Sequence, residues 1–110
     1  MTGVQTCALP ISPQIQTALA LVLTERKKPD DTKRAIELCK SSILQSPAPL
    51  TYWVLARAYG DNDTGRSAWA MAEYYHMLGK TDEVKKYATQ AIKKLKKTDS
   101  EYIKSGDLIK

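Results

Sequence analysis

The side chains that most often carry out catalysis or bind metals are scarce in this sequence. It contains one His, His76, and two Cys, Cys7 and Cys39. A zinc protease of the HExxH type needs two His one helical turn apart, with a Glu between them that activates water. One His cannot supply that pair, so His76 is predicted to lie at the surface near a helix end, where a donor suits the negative terminus. Cys39 is predicted to be a small core residue.

The segment DNDTGR, residues 61–66, has the composition of a calcium loop but not its spacing. An EF-hand loop requires an oxygen ligand at its fifth position, Gly at its sixth and Glu at its twelfth. These positions hold Gly65, Arg66 and Ala72, so the segment is predicted to be a turn between two helices. The sequence also has no phosphate-binding glycine loop and no Ser or Cys nucleophile with a credible base. No catalytic residue, metal ligand or cofactor is therefore assigned to the chain.

Charged residues suggest packing and solvation rather than chemistry. Arg66 and Glu73 lie two turns apart on a predicted fourth helix, and Arg57 lies on the third. We expect these three side chains to form ion pairs between helices. The net charge of +5 comes largely from Lys residues between positions 80 and 97. A solvated helix face is favoured over a nucleic-acid or lipid surface because no interleaved Arg and aromatic residues accompany it.

The aromatic residues are the remaining candidates for a binding surface. Tyr and Trp side chains with a polar tip are good anchors for a bound polypeptide. Four residues are predicted to bind the partner: Tyr52 and Tyr74 as exposed contacts, together with Arg57 and Arg66. We expect a second group of aromatic residues to lie in the core, namely Trp53, Trp69 and Tyr75.

The first half of the chain is divided into helices by proline residues. A first helix begins at Pro13 and ends before Pro29, and Pro49 suits the first turn of a third helix because its missing N–H would have no partner there. Asp30 or Asp31 is predicted to cap the second helix. The expected inner faces of the three helices combine Ile15, Leu19, Val22 and Leu23, then Ala35, Ile36, Leu38, Cys39, Ile43 and Leu44, then Trp53, Ala56 and Tyr59.

The second half is divided by glycine and capping residues. Gly60 is expected to end the third helix, and Gly79 to end the fourth in a left-handed conformation. Thr81 is predicted to cap a fifth helix. The residues 98–101 form a capping-box pattern that opens a short last helix ending near Gly106. The connections are short and no hairpin signal appears, so the sequence predicts an all-α fold of antiparallel helical hairpins, with five helices and a short C-terminal one.

The pattern of small residues resembles the tetratricopeptide repeat, a helical hairpin of about 34 residues. One repeat frame covers residues 16–49, and Trp53 then falls on the aromatic position of the next repeat. A later frame places small, aromatic and glycine residues where the repeat expects them, at Ala72, Tyr75, Gly79, Ala88 and Ala91. The two frames are not a whole number of repeats apart. We therefore expect a tetratricopeptide-like solenoid with an irregular junction at the third and fourth helices.

Residues 47–109 resemble the C-terminal repeat region of bacterial HExxH zinc metallopeptidases of the β-barrel assembly-enhancing type. The resemblance is carried by PAPLTYWVLARAYG and by GRSAWAMAEYYHMLGKTDEVKKYATQAIKKL, including Trp53, Gly60, Gly65, Glu73 and Gly79. It implies a periplasmic quality-control protease whose repeats hold its catalytic domain and contact outer-membrane proteins or their assembly machinery. Zinc would belong to that catalytic domain, whose motif is absent from this sequence.

The first twelve residues, MTGVQTCALPIS, match the translation of a common sequencing adapter. We therefore expect residues 1–12 to be a non-native leader that packs poorly, and residues 13–110 to be a repeat domain truncated at its N-terminal side. A helix at such a cut would expose apolar residues meant for a neighbour, here Leu19, Val22 and Leu23.

The sequence thus favours a non-catalytic interaction module that binds a protein or peptide, belonging to a periplasmic zinc protease. An independent tetratricopeptide scaffold and a basic binder of nucleic acid or lipid remain as alternatives. No run is long and apolar enough to span a bilayer.

Overall fold

A computed structural model describes residues 12–110, and this part of the chain is all-α with no β-strand. A single 3-10 turn, Gly60–Asn62, separates the third and fourth helices. The six helices are α1 (Pro13–Arg26), α2 (Pro29–Gln45), α3 (Pro49–Tyr59), α4 (Thr64–Leu78), α5 (Thr81–Lys94) and α6 (Ser100–Leu108). The prediction of five helices followed by a short C-terminal helix is confirmed. None of these helices is both long and apolar enough to cross a membrane.

Proline begins the first three helices, as the sequence predicts. Pro13, Pro29 and Pro49 each occupy the first turn, where the lost N–H has no intrahelical acceptor. The α1 helix is also capped by Ser12, whose side chain accepts a hydrogen bond from the Ile15 N–H at 3.2 Å. Ser12 therefore has a structural role that the adapter interpretation did not foresee, and the rest of the predicted leader, residues 1–11, lies outside the described residues.

Residues in the left-handed region end two helices. Gly79 has φ 75° and its N–H donates to the carbonyl of His76, while the Lys80 N–H donates to that of Tyr75 at 3.0 Å. Lys27 ends α1 with φ 57°, a conformation that is uncommon for residues other than glycine. Gly60 ends α3 with φ 48°. The predicted helix ends at Gly60 and Gly79 are both confirmed.

The predicted caps of α2 and α5 are wrong. Lys28 and Lys80 occupy the N-cap positions, and neither makes a side-chain cap hydrogen bond. Asp30 and Asp31 lie instead within the first turn of α2, where their charge still favours the positive helix end. Thr81 is likewise the first residue of α5 rather than its cap.

The predicted capping box of α6 is also wrong. Asp99 is the N-cap residue, and no side chain caps the helix. The Asp99 and Glu101 carboxylates are directed at Arg66 on α4 instead, at 3.2 and 3.3 Å. The longer-range ion pairs have displaced the local capping pattern.

Each helix packs on its neighbour in sequence, and only two pairs of described helices pack with one helix between them. These are α1 with α3 and α4 with α6. No Cα atom of α3 comes within 8 Å of one in α5, and the same holds for α2 and α4. The stacking is therefore interrupted at the α3–α4 hairpin.

The α3 helix is the most completely buried, because it packs against α1, α2 and α4. Val54 and Leu55 are fully buried, and Ala56 and Tyr59 lie in the core as predicted. The prediction for its two adjacent aromatic residues is reversed. Tyr52 is buried, while Trp53 is only partly covered on the side that no helix occupies.

The faces of α1 and α2 differ from the predicted apolar stripes. Ile15 and Val22 are 59% and 57% exposed, and Leu44 on α2 is 88% exposed. Of the α1 residues expected to be poorly covered, Val22 is exposed and Leu19 is partly buried, but Leu23 is buried in the core cluster. The buried face of α1 consists of Gln16, Thr17, Ala20 and Leu23.

Three buried hydroxyl groups join α1, α2 and α3. The Thr17 hydroxyl lies 3.1 Å from that of Ser42 and 2.8 Å from that of Thr51. Ser42 also donates to the Pro13 carbonyl at 3.0 Å. Below them, Cys39 is fully buried as predicted, and burial raises the pKa of its thiol to about 12. The first hairpin is thus fixed to α3 through hydrogen bonds between small polar residues.

Replacing Thr51 by Val removes one hydroxyl while keeping the shape of the side chain. Because the Thr17 hydroxyl then loses its shorter hydrogen bond inside the protein, we expect Thr51→Val to lower the free energy of unfolding by about 1 to 2 kcal/mol. Urea denaturation measures this loss. The double variant Thr17→Val with Thr51→Val should cost less than the sum of the two single variants, and strict additivity would contradict the hydrogen-bonded cluster.

Candidate functional site

The α4 helix occupies the centre of the second half of the chain, where it packs against α3, α5 and α6. Small residues allow these close approaches. Gly65 is the tightest, since a Cβ atom there would lie 2.9 Å from the Leu95 Cδ2 atom. Ala72 on α4 is fully buried, as are Ala88 and Ala91 on α5. Four of the small residues named in the sequence pattern therefore lie where helices meet.

One face of α4 is only partly covered and forms the floor of a groove. Ser67, Met71, Tyr74 and Leu78 follow each other at spacings of four, three and four residues, which places them along one side of the helix. The helices α3 and α5 pack on either side of α4 without contacting each other. The gap between them exposes this side of α4, and we call it the α4 groove.

The walls of the α4 groove come from α3 and α5. Trp53 and Leu50 form one end together with Tyr74 and Leu78, around a cavity of about 380 Å³. Arg57 lines the middle beside Met71. The residues that line the α5 side include Tyr87, Gln90 and Lys94. Two apolar side chains at the open end are well exposed, with Leu50 at 54% and Leu78 at 43%.

Aromatic rings and cations are held in place along the groove. The Arg57 guanidinium lies 4.9 Å from the centroid of the Trp53 ring. Tyr75 contacts Tyr74 edge to face, with centroids 5.0 Å apart, and stacks on Tyr87 at 5.5 Å. Contacts of these kinds restrict the side chains, so the rings are oriented before any partner binds.

The structure brings two of the four predicted partner-binding residues into the groove. Tyr74 forms part of its floor and Arg57 part of its wall. Tyr52 is not an exposed contact residue, because it is buried with its ring edge-on to Trp69 at 6.0 Å. Burial, and then the charge of Glu73, raise the pKa of the Tyr52 hydroxyl.

Arg66 is the fourth predicted binding residue, and it is engaged inside the protein. Its guanidinium contacts Asp63 at 2.7 Å, Asp99 at 3.2 Å and Glu101 at 3.3 Å. The hydrogen bond with Asp63 is the main reason that the pKa of Arg66 is raised. Arg66 therefore joins the start of α4 to α6 and does not face the groove.

The predicted ion pairs between Arg57, Arg66 and Glu73 do not form. Arg57 contacts Glu25 on α1 at 3.0 Å, and both side chains are about half exposed. Glu73 lies two turns from Arg66, roughly 10 Å along the helix axis. Its carboxylate lies in a partly buried place near His76 and Lys104. Desolvation raises the pKa of Glu73, and the two nearby positive side chains partly oppose the shift.

Trp69 and Tyr75 also occupy different places. Trp69 is buried as predicted, with the Lys104 ammonium 5.5 Å from its ring centroid. Tyr75 is only partly buried, and its ring contacts Tyr74 and Tyr87 instead of the core. The sequence does not indicate that Met71, Tyr87 and Lys94 line a groove, because this role depends on the separation of α3 from α5.

Among residues 12–110, no three His, Cys, Asp or Glu side chains come together in a way that could hold a metal ion. His76 is exposed in the last turn of α4, where the sequence places it. Along the α4 groove, aromatic and apolar side chains lie between Arg57 and Lys94. Comparison of the chain with family models, curated proteins and solved structures finds no significant match.

Replacing Arg66 by Met leaves three carboxylates without their shared cation. We expect Arg66→Met to lower the free energy of unfolding by about 2 kcal/mol or more, because Glu101 is nearly buried. The exposed pair of Arg57 and Glu25 supplies the control, and Arg57→Met should cost at most about 1 kcal/mol. Urea denaturation measures both free energies of unfolding, and equal decreases for the two variants would contradict the central role of Arg66.

Replacing Glu73 by Gln tests the raised pKa of its carboxyl group. Between the ordinary and the raised pKa, the folded protein binds more protons than the unfolded chain, so stability falls as the pH rises through that interval. We expect Glu73→Gln to raise the melting temperature at neutral pH. The gain should shrink as the pH is lowered from the raised pKa of Glu73 to its ordinary pKa of about 4.5, and should be absent below it. A gain that grows in acid would contradict this assignment.

Proposed function

We propose that this chain is a non-catalytic protein-interaction module that binds a segment of another polypeptide in the α4 groove. The observation that carries the proposal is the partly covered face of α4 between α3 and α5. Its neighbours α3 and α5 stand apart, which leaves aromatic and apolar side chains accessible between them. Trp, Tyr and Arg are the residues that most often dominate the binding energy at protein interfaces.

The groove is also suited to binding because its side chains are already ordered. Trp53 is held by Arg57, and Tyr75 stacks on Tyr87. A partner that contacts these rings does not have to immobilise them, so less of the interaction energy is lost as conformational entropy. The exposed Leu50 and Leu78 add apolar area at the open end.

We further propose that the module is a tetratricopeptide-like region of a periplasmic zinc metallopeptidase, as the sequence resemblance implies. Support comes from Gly60 and Gly79, which end helices, and from Gly65 and Ala72, which lie at close helix contacts. The groove would then contact the catalytic domain or an outer-membrane protein. The residues present do not fit the zinc itself, because one His cannot replace a His pair, so no zinc chemistry is assigned to them.

Two alternatives make different predictions. An independent tetratricopeptide scaffold would use the same groove, and further helical hairpins encoded upstream would favour it over an HExxH helix. A basic binder of nucleic acid or lipid would instead use the exposed lysines of α5, such as Lys85 and Lys93. Its binding would weaken steeply with salt and would not depend on Trp53.

Selection from a random peptide library displayed on phage tests the proposed function. A pool enriched on the immobilised chain should lose at least about tenfold in binding to Trp53→Ala and to Tyr74→Ala, because both variants remove anchors from the groove. Leu44→Ala is the matched control, since it removes a side chain that is 88% exposed on α2. A pool that binds all three variants equally, or the absence of enrichment, would overturn the proposal.

A further inference from the structure

We infer that the segment received by the α4 groove is an amphipathic α-helix of about three turns whose flanking residues are acidic. This inference rests on the proposed function and states the conformation and charge of the partner. The length of the groove is its first support. The floor runs from Ser67 to Leu78, eleven residues further along α4, and a helical rise of 1.5 Å per residue makes this about 16 Å.

The width of the groove is its second support. The helices α3 and α5 both pack on α4, and no Cα pair between α3 and α5 is within 8 Å. Packed helices have axes about 8 to 10 Å apart. A helix laid over α4 could therefore contact α3, α4 and α5 together, and its side chains could enter the spaces around Met71 and Tyr74.

The backbone chemistry of the groove favours a helix over a strand. Its floor and walls are helices, whose backbone groups are already hydrogen-bonded internally, so no sheet edge is available for strand addition. The Ser67 hydroxyl, a polar group of the floor, already donates to the Ala56 carbonyl at 2.9 Å. An extended segment would leave its N–H and C=O groups without partners against Met71 and Leu78. A helix satisfies its own backbone groups.

Positively charged side chains in the walls of the groove favour a helix with acidic residues at its edges. Arg57 stands on the α3 side, and Lys94 on the α5 side, with Lys86 beside Tyr87. The acidic groups near the walls are Glu25, which is paired with Arg57, Asp61 at one end, and Glu83, one turn from Tyr87. The α5 wall adds Lys86 and Lys94, and Glu or Asp at the edge of a bound helix beside these lysines would be attracted.

Three synthetic peptides of about 15 residues test the inference by isothermal titration calorimetry. The first has Leu at helical spacing with Glu between, the second has the same Leu residues with Lys between, and the third is acidic and rich in Pro. We expect the acidic helical peptide to bind at least about tenfold more tightly than either of the others. Its circular dichroism should show added helix on binding.

Charge reversal on α5 provides the variants. Lys94→Glu should lower the affinity for the acidic peptide about threefold to tenfold. Lys85→Glu is the matched control, because nine residues along an α-helix place it on the opposite side with the same change in net charge. Both positions are exposed, so both variants should fold. Equal effects of the two variants would overturn the acidic part of the inference.

The outcomes separate this inference from the proposed function. If the Pro-rich peptide binds best and depends on Trp53, the partner is extended and the inference is wrong, while the groove remains a binding site. If the selected phage pool and all three peptides ignore Trp53→Ala, both proposals fail. Added helix together with sensitivity to Lys94 supports the inference.

Discussion

The structure depends on how closely α4 can approach three other helices. A helix that packs on α3, α5 and α6 can do so only if the side chains at the contacts are small, and Gly65, Ala68 and Ala72 meet this requirement. A Cβ atom at Gly65 would lie 2.9 Å from the Leu95 Cδ2 atom and 3.3 Å from the Lys94 Cβ atom, so the Leu95 side chain would have to shift.

One side of α4 packs against α6, and another side carries residues that line the groove. On one side, Arg66 faces α6, and its ion pairs with Asp99 and Glu101 hold the last helix in place. On the other side, Met71 and Tyr74 face the opening between α3 and α5. Arg66 thus secures packing, whereas the accessible surface belongs to Met71 and Tyr74 together with Arg57 on α3.

Much of the fold is readable from the sequence because its signals are local. Pro49 and Gly79 act through their own backbone geometry, so helix ends follow from residue type. The faces are harder to predict. Tyr52 and Trp53 are adjacent aromatic residues, and only the positions of α1, α2 and α4 determine which is covered. The ion-pair partners of Arg66 lie more than thirty residues away in sequence. The groove could be predicted only if the separation of α3 from α5 were already known.

The order of helix contacts has a consequence for how the binding surface forms. The groove is built from α3, α4 and α5, which follow each other along the chain and pack as two successive hairpins. Contacts between sequence neighbours close short loops, and proteins rich in them fold rapidly. Neither α1 nor α6 is among the helices that line the groove. The groove can thus assemble early, from contacts between elements that follow each other along the chain.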